Sequence, residues 1–229
     1  MDEGGEGDDQ PLHSFIPFKF MNKISIAILS GGKSSRMGTD KALLPIEGKT
    51  MIEHIIAQVN GIGDEVIVIT NTPEQYKFLG LPIFIDVIPD KGALGGLYTA
   101  IDAASHPYTL ILACDMPFVN RDLLRYMISL APEADAVIPK IAAPDGEKKK
   151  SGNAEPLRAI YSKACLAPIR KCIDDDNLKM IAFFKDVKLR WVDEEEIRKF
   201  DAELVTFMNA NTPEEFGVIK EIWEKRRDT

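Results

Sequence analysis

Apolar residues in this chain fall in short unbroken runs, and polar or amphipathic stretches separate the runs. ISIAIL at 24–29, EVIVIT at 65–70, PIFIDV at 82–87 and YTLILAC at 108–114 predict strands. Continuous rather than alternating hydrophobicity is what a parallel sheet covered on both faces requires. Between the runs, Met51, Ile52, Ile55, Ile56 and Val59 share one face of a helix over 50–60. Thr72-Pro73-Glu74-Gln75 offers an N-cap hydroxyl, a proline at the first helical position and a glutamine three residues on. Residues 94–104 and 120–130 complete this set of helices. The second half is less regular. It predicts strands at 135–139, 154–161 and KLRWV, helices at 162–173, 177–184 and Asp193 to Phe200, and a mobile polar loop over 143–153. A short strand ending at Asn209 leads into a last helix, with a Thr212–Glu215 capping box and a buried face of Phe216, Ile219, Ile222 and Trp223. Alternating strands and helices predict one α/β domain over residues 22–229, built on a single doubly wound, mostly parallel sheet flanked by helices. Ligands are then expected at the C-terminal ends of the strands.

Composition narrows the classes. The 229 residues carry a formal charge of −8, and residues 1–20 hold five acids against one base. The remaining 27 bases against 31 acids leave a mildly acidic body, which argues against a nucleic-acid-coating surface. Residues 1–21, opening MDEGGEGDDQ, are too rich in glycine and acid to join a core and read as a disordered extension or a tag. The three cysteines, Cys114, Cys165 and Cys172, form no CxxC pair, which points to a reducing compartment without disulfides or zinc fingers. No run reaches the roughly 18 apolar residues of a membrane span, and the acidic start is a poor signal peptide. The expectation is a cytoplasmic protein without membrane or nucleic-acid partners.

The chemistry gathers after the first strand, in LSGGKSSRMGTDK, Leu29 to Lys41. It is not a Walker A loop, which would need glycine at Ala27. It is not a dinucleotide fingerprint, because Lys33 takes the second glycine position. Yet Gly31 and Gly32 allow close backbone approach, successive amides can form an anion-binding concavity, and Lys33, Arg36 and Lys41 bring charge to phosphate oxygens. A second candidate is Asp115, where TLILAC ends abruptly in an acid. The tip of a central parallel strand is a ligand position, and magnesium commonly takes one or two carboxylates plus phosphates. Asp115 also reads as the N-cap of a helix beginning near 117, a role open to Asn120 or Asp122. The histidines, His13, His54 and His106, fall where no catalytic role is expected, and Lys148 to Lys150 read as a solvated loop.

The opening loop is similar to the signature L-x-G-G-x-S-x-R-M-G-x-D-K of the molybdenum cofactor guanylyltransferases, with Ser30 where that family more often has alanine. The resemblance runs from Lys23 to about Ile222. It implies a nucleotidyltransferase that uses GTP to add GMP to molybdopterin. ITNTP at 69–73 puts Asn71 at a nucleotide-contacting position. FIDVIPDKGALGGL puts Asp86 at the nucleotide-binding aspartate, with Ala93 replacing a proline. LACDMPFV makes Asp115 the magnesium-ligating aspartate. EPLRAIY resembles the P-L-x-A-x-Y strand, and NANTPEEF carries Asn209 and Asn211, whose counterparts lie by the reacting groups. On the residues alone, Asp86 also reads as an exposed loop acid, and Asn71, Asn209 and Asn211 as turn residues. The 140–190 region, where molybdopterin contacts are expected, maps poorly onto the family.

The mechanism implied is attack of molybdopterin's terminal phosphate on the α-phosphorus of Mg·GTP, with pyrophosphate leaving. Leu29, Ser30, Gly31, Gly32 and Lys33 would line the nucleotide. Lys33 and Arg36 would hold the β- and γ-phosphates and Lys41 the α-phosphate, while Asp115 and Asn211 would hold Mg²⁺. Gly31 would favour GTP, since the resembling cytidylyltransferase branch has alanine there and a bare glycine leaves room for a purine. Molybdoenzyme maturation proteins are the expected protein partners. Two alternatives stand beside this: a nucleotidyltransferase acting on another phosphorylated acceptor, such as a sugar or polyol phosphate, and a non-catalytic nucleotide-binding protein that delivers cofactor.

Overall fold

The computed structural model describes residues 23–31, 40–142 and 153–227. Its centre is a seven-stranded sheet of β1 (Ile24–Leu29), β4 (Glu65–Ile69), β5 (Ile83–Phe84), β6 (Tyr108–Ala113), β7 (Ala136–Lys140), β8 (Arg158–Ser162) and β9 (Leu189–Asp193), in the order β5-β4-β1-β6-β8-β7-β9. The strands are parallel except β8, which runs antiparallel to both β6 and β7. A separate hairpin pairs β2 (Pro45–Ile46) with β3 (Lys49–Thr50). Its two-residue turn places Glu47 and Gly48 at φ 45° and 81°, the left-handed pair that a tight hairpin needs.

Both sheet faces are covered, as unbroken apolar strands require. On one face Ile26, Ile28, Leu110, Leu112 and Ile160 pack against α1 (Met51–Val59) and α3 (Arg121–Leu130). On the other, Ala27, Ile67, Ile111, Ala159 and Tyr161 pack against α2 (Gly92–Ala103) and α4 (Leu166–Asp174). The short α5 (Glu194–Arg198) follows β9, and α6 (Pro213–Arg227) closes the chain by burying Phe216 and Ile219 against Ile46, Met51 and Phe118. The expected Thr212–Glu215 capping box is present: Glu215 N donates to Thr212 Oγ1 at 3.2 Å and Thr212 N to the Glu215 carboxylate at 3.1 Å.

Several expected elements differ, each for a local reason. The run 82–87 yields only the two residues of β5, because beyond Phe84 the backbone leaves the ladder and Val87 N donates instead to Thr99 Oγ1 of α2, at 3.1 Å. Residues 73–79 form a 3-10 turn (Pro73–Leu79) without a side-chain cap from Thr72, ended by Gly80 at φ 63°. The strand over 154–161 begins only at Arg158, whose N–H first closes a turn onto Glu155 O. The helix over 177–184 is instead a series of tight turns, with Ala182 N on Lys179 O and Phe184 N on Ile181 O, which turn Phe183 and Phe184 into the core. The short strand before Asn209 is a 3-10 turn (Val205–Phe207), nucleated by the buried Asp201 carboxylate accepting from Val205 N and Thr206 N at 3.1 and 2.8 Å. Residues 1–21 and most of the 143–153 loop lie outside the described residues.

Candidate active site

Parallel neighbours β4, β1 and β6 end side by side, so the residues that follow them meet at one edge of the sheet. After β1 comes Ser30, buried, then the exposed Gly31. Leu29 O accepts from Cys114 N at 3.1 Å, and Ser30 N donates to Ile69 O at 2.9 Å. These bonds lock the three strand ends together. A Cβ added to Gly31 would meet nothing within 4 Å among the described residues. Lys41 opens a 3-10 turn (Lys41–Leu43) capped by Asp40, whose Oδ1 accepts from Ala42 N at 3.1 Å.

Two pairs of site residues form across this edge. Lys41 Nζ donates to Asn211 Oδ1 at 3.0 Å, although the residues are 170 positions apart. Asn71 Nδ2 donates to Asp86 Oδ2 at 3.1 Å, and Asp86 N donates back to Asn71 Oδ1 at 3.3 Å. The start of α2 passes close beneath the segment that follows Asp86: a Cβ at Gly95 would press on Ile88 O at 3.1 Å.

Asp115 lies directly beyond β6, on the other side of β1 from the Asn71–Asp86 pair. Its backbone O accepts from Ala210 N at 2.7 Å, which draws the Asn209–Asn211 segment over it. Burial pushes its carboxyl above the usual carboxylate range, against the pull of Lys41 and Arg158. Asp115 does not cap the following helix; Asn120 does, accepting from Leu123 N at 2.9 Å. Asp115 Oδ1 is buried without a hydrogen-bond partner among the described residues. An orphaned acceptor of this kind is costly unless something positive meets it. The described residues hold no group of three or more His, Cys, Asp or Glu suited to a metal. One unpaired carboxylate oxygen therefore fits an ion that brings phosphate ligands with it, such as Mg²⁺, and not a cation wholly caged by protein.

Beside Asp115, on the side of β8, opens a cavity of about 380 Å³ lined by Asp115, Asn209, Glu155, Leu157, Lys179 and Met180 among others. Behind it Arg158 is 0% exposed, donates to Met116 O at 2.5 Å and stands 6.0 Å from the Phe207 ring. Burial pulls its guanidinium down to about 10, against the opposing pull of Asp115, Glu155 and Asp201.

The structure thus brings Leu29, Ser30, Gly31, Lys41, Asn71, Asp86, Asp115, Asn209 and Asn211 to one edge. Gly32, Lys33 and Arg36 lie outside the described residues, as do Lys148 to Lys150. Sequence patterns missed Tyr76, Arg158 and Lys179. The signal for Arg158 was visible as a cation inside the apolar strand LRAIY.

Comparison with known proteins agrees with this geometry. Residues 26–188 match the family model of the MobA-like NTP transferase domain. A Clostridium perfringens protein named probable molybdenum cofactor guanylyltransferase is 36% identical over 201 residues, covering 86% of this chain and 96% of its own. The molybdenum cofactor guanylyltransferase of Desulfosudis oleivorans is 32% identical over 197 residues, covering 85% and 93%. Among solved structures, molybdopterin-guanine dinucleotide biosynthesis protein A from Archaeoglobus fulgidus superposes with a TM-score of 0.74 at 25% identity, covering 88% of this chain and 99% of its own. With a glycine-rich loop at the first strand end, a lone acid at the tip of β6 and relatives matched along nearly their whole length, the chain belongs to the MobA-like NTP transferase family and is a nucleotidyltransferase.

Proposed function

We propose that this protein transfers GMP from GTP to the terminal phosphate of molybdopterin, releasing pyrophosphate. The observation that carries the reading is the buried Asp115 oxygen at the sheet edge, without a partner among the described residues and near the Lys41–Asn211 pair. The names of the relatives, which are guanylyltransferases of the molybdenum cofactor, support GTP and molybdopterin as the substrates.

The acceptor phosphate is already anionic, so no protein nucleophile is needed. An acceptor oxygen bonds to the α-phosphorus, the bond from the α-phosphorus to the bridging oxygen breaks, and pyrophosphate departs with the electron pair. Catalysis is then positioning and charge stabilisation. Asp115 would hold Mg²⁺, with Asn211 as the second protein ligand; when bound, the ion neutralises charge on the phosphates. Lys41, released from Asn211, pairs with the α-phosphate as its charge grows, and Lys33 and Arg36 take the β- and γ-phosphates. Asn71 and Asp86 receive the nucleoside end on the β4–β5 side, and Gly31 gives the purine clearance. The cavity on the β8 side receives the acceptor, with Lys179 facing its phosphate and Leu157 and Met180 its ring.

The test is to incubate the protein with Mg²⁺, molybdopterin and either GTP or CTP, and to follow pyrophosphate. Rapid release with GTP and little with CTP is expected. A CTP preference overturns the role given to Gly31 while leaving the reaction class intact. Release only with a sugar or polyol phosphate moves the acceptor, and no release with any acceptor overturns the transfer reading.

A further inference from the structure

Tyr76 has no part in the chemistry described so far, yet it is among the largest fully buried side chains, at 0% exposure. Its hydroxyl donates to Asp40 Oδ2 at 2.5 Å and also meets the Ser30 hydroxyl, 46 residues away in sequence. A phenol has one hydrogen. With that hydrogen on Asp40, the Ser30 hydroxyl must donate its own to the Tyr76 oxygen. The buried Cys114 stands at the same strand end, its N–H on Leu29 O at 3.1 Å. The chain therefore has a polarity, running from Ser30 through Tyr76 and ending on the Asp40 carboxylate.

Its endpoints give it meaning. Ser30 is the first residue after β1, and Asp40 immediately precedes Lys41 and caps the turn on which Lys41 stands. Cys114 immediately precedes Asp115. One oxygen of Asp40 is engaged by Tyr76 and the other by Ala42 N, so the carboxylate is fixed at both ends. Burial pushes the phenol's ionisation upward, so it stays a hydrogen donor. Ser30 supplies a hydroxyl that the alanine more usual in the resembling family lacks.

We propose that Tyr76, oriented by Ser30, is a positioning residue for Lys41, acting through Asp40 and the turn that Asp40 caps. The role rests on the guanylyl-transfer reading for its catalytic consequence, though not for its geometry. A lysine that meets charge only as the reaction proceeds gains from a pre-set position, since small misplacements cost rate out of proportion to affinity.

The test compares Tyr76→Phe, Ser30→Ala and the double variant by two measurements. The first is steady-state pyrophosphate release with GTP. Tyr76→Phe should lower kcat roughly tenfold with KM for GTP within about twofold of the parent. Ser30→Ala should lower kcat by about threefold, and the double variant should be no worse than Tyr76→Phe, because a chain acting as one unit is lost once. The second is acetylation of Lys41 by acetic anhydride, read by peptide mass spectrometry. It should rise several-fold in Tyr76→Phe while the exposed Lys77 stays unchanged. Parental kcat and parental Lys41 labelling in Tyr76→Phe, or strictly additive losses in the double variant, overturn the proposal. If the parent itself releases no pyrophosphate, the transfer reading fails, and the labelling alone still decides the role of Tyr76. Should Tyr76→Phe not fold, Ser30→Ala removes only one oxygen and is read in both assays, where parental values overturn the proposal.

Discussion

Glu65 at one edge of the sheet and Asp115 at the other are treated in opposite ways. At the N-terminal edge every noted charge is engaged. Glu65 accepts from Ser25 Oγ at 2.5 Å, Ser105 N at 2.9 Å and Ser105 Oγ at 2.8 Å. Lys163 Nζ closes the end of α2 by donating to the carbonyls of Ile101, Asp102 and Ala104, and Asp64 accepts from Ile24 N at 3.0 Å. At the C-terminal edge Asp115 keeps a buried oxygen without a partner among the described residues, and Lys41 donates to a neutral amide. The first arrangement lowers the energy of the fold. The second leaves groups that, on the proposed reading, a polyanion and its cation satisfy. On that reading binding falls to one edge and structural bonding to the other, as expected where function and stability compete.

The sharpest way to break this contrast is Asp115→Ala. On the proposed reading, pyrophosphate release falls by roughly 10³-fold. The fold should not suffer, because the contact that organises the Asn209–Asn211 segment runs through the Asp115 backbone oxygen, which alanine keeps. Loss of Oδ1, which has no partner among the described residues, favours the fold, while loss of the pull on buried Arg158 opposes it, so the melting temperature should stay within a few degrees of the parent. Lost activity with a Tm close to that of the parent supports the division between edges. A lower Tm with activity retained assigns Asp115 to structure instead.

The functional edge itself divides along β1, and reciprocal substitutions sharpen that division. Asp86→Ala, on the β4–β5 side, should raise KM for GTP roughly tenfold and leave KM for molybdopterin within about twofold. Lys179→Ala, in the cavity on the β8 side, should do the reverse by a similar factor. Steady-state kinetics with each substrate varied in turn checks both. If either variant moves both constants together, the nucleotide and acceptor sides are not separate.

How much of this was legible in the sequence follows the same geometry. The placing of Lys41 and Asp115 could be read because a contiguous loop and abrupt polarity at strand ends mark the ligand edge of a parallel sheet, whereas Asn71 was singled out only through the family resemblance. Both covered faces could be read from unbroken apolar runs. Tyr76 could not, since its partners Ser30 and Asp40 lie 46 and 36 residues away and a buried tyrosine looks like any core aromatic. The cavity was hidden because its walls are turns. Met180 to Phe184 form one apolar run that a helix could carry, while their backbone closes three-residue turns instead. β5 was over-extended for a different reason: the run is apolar, but as an edge strand it hands its backbone over to Thr99 and Asn71 once past Phe84.

The weakest effect tests the structural edge alone. Glu65 pays desolvation, which raises its pKa, but the hydrogen bonds from Ser25 and Ser105 outweigh it and hold the carboxyl below its ordinary value. A depressed pKa in the folded state means that near pH 4 the unfolded chain binds more protons than the native one. Its contribution is therefore present above the unfolded value, about 4.3, and is lost as pH falls through the folded pKa. Glu65→Gln should cost about 1 kcal/mol at pH 7, no more, since the site is partly solvated and an amide oxygen still accepts weakly. Urea unfolding of parent and variant should converge as pH falls below 4. Between pH 6 and 8 the kcat of the variant should match the parent, because Glu65 lies a full strand length from Asp115. A kcat that falls with the stability loss would mean that the two edges are coupled through the strands, and the separation drawn between them would be wrong.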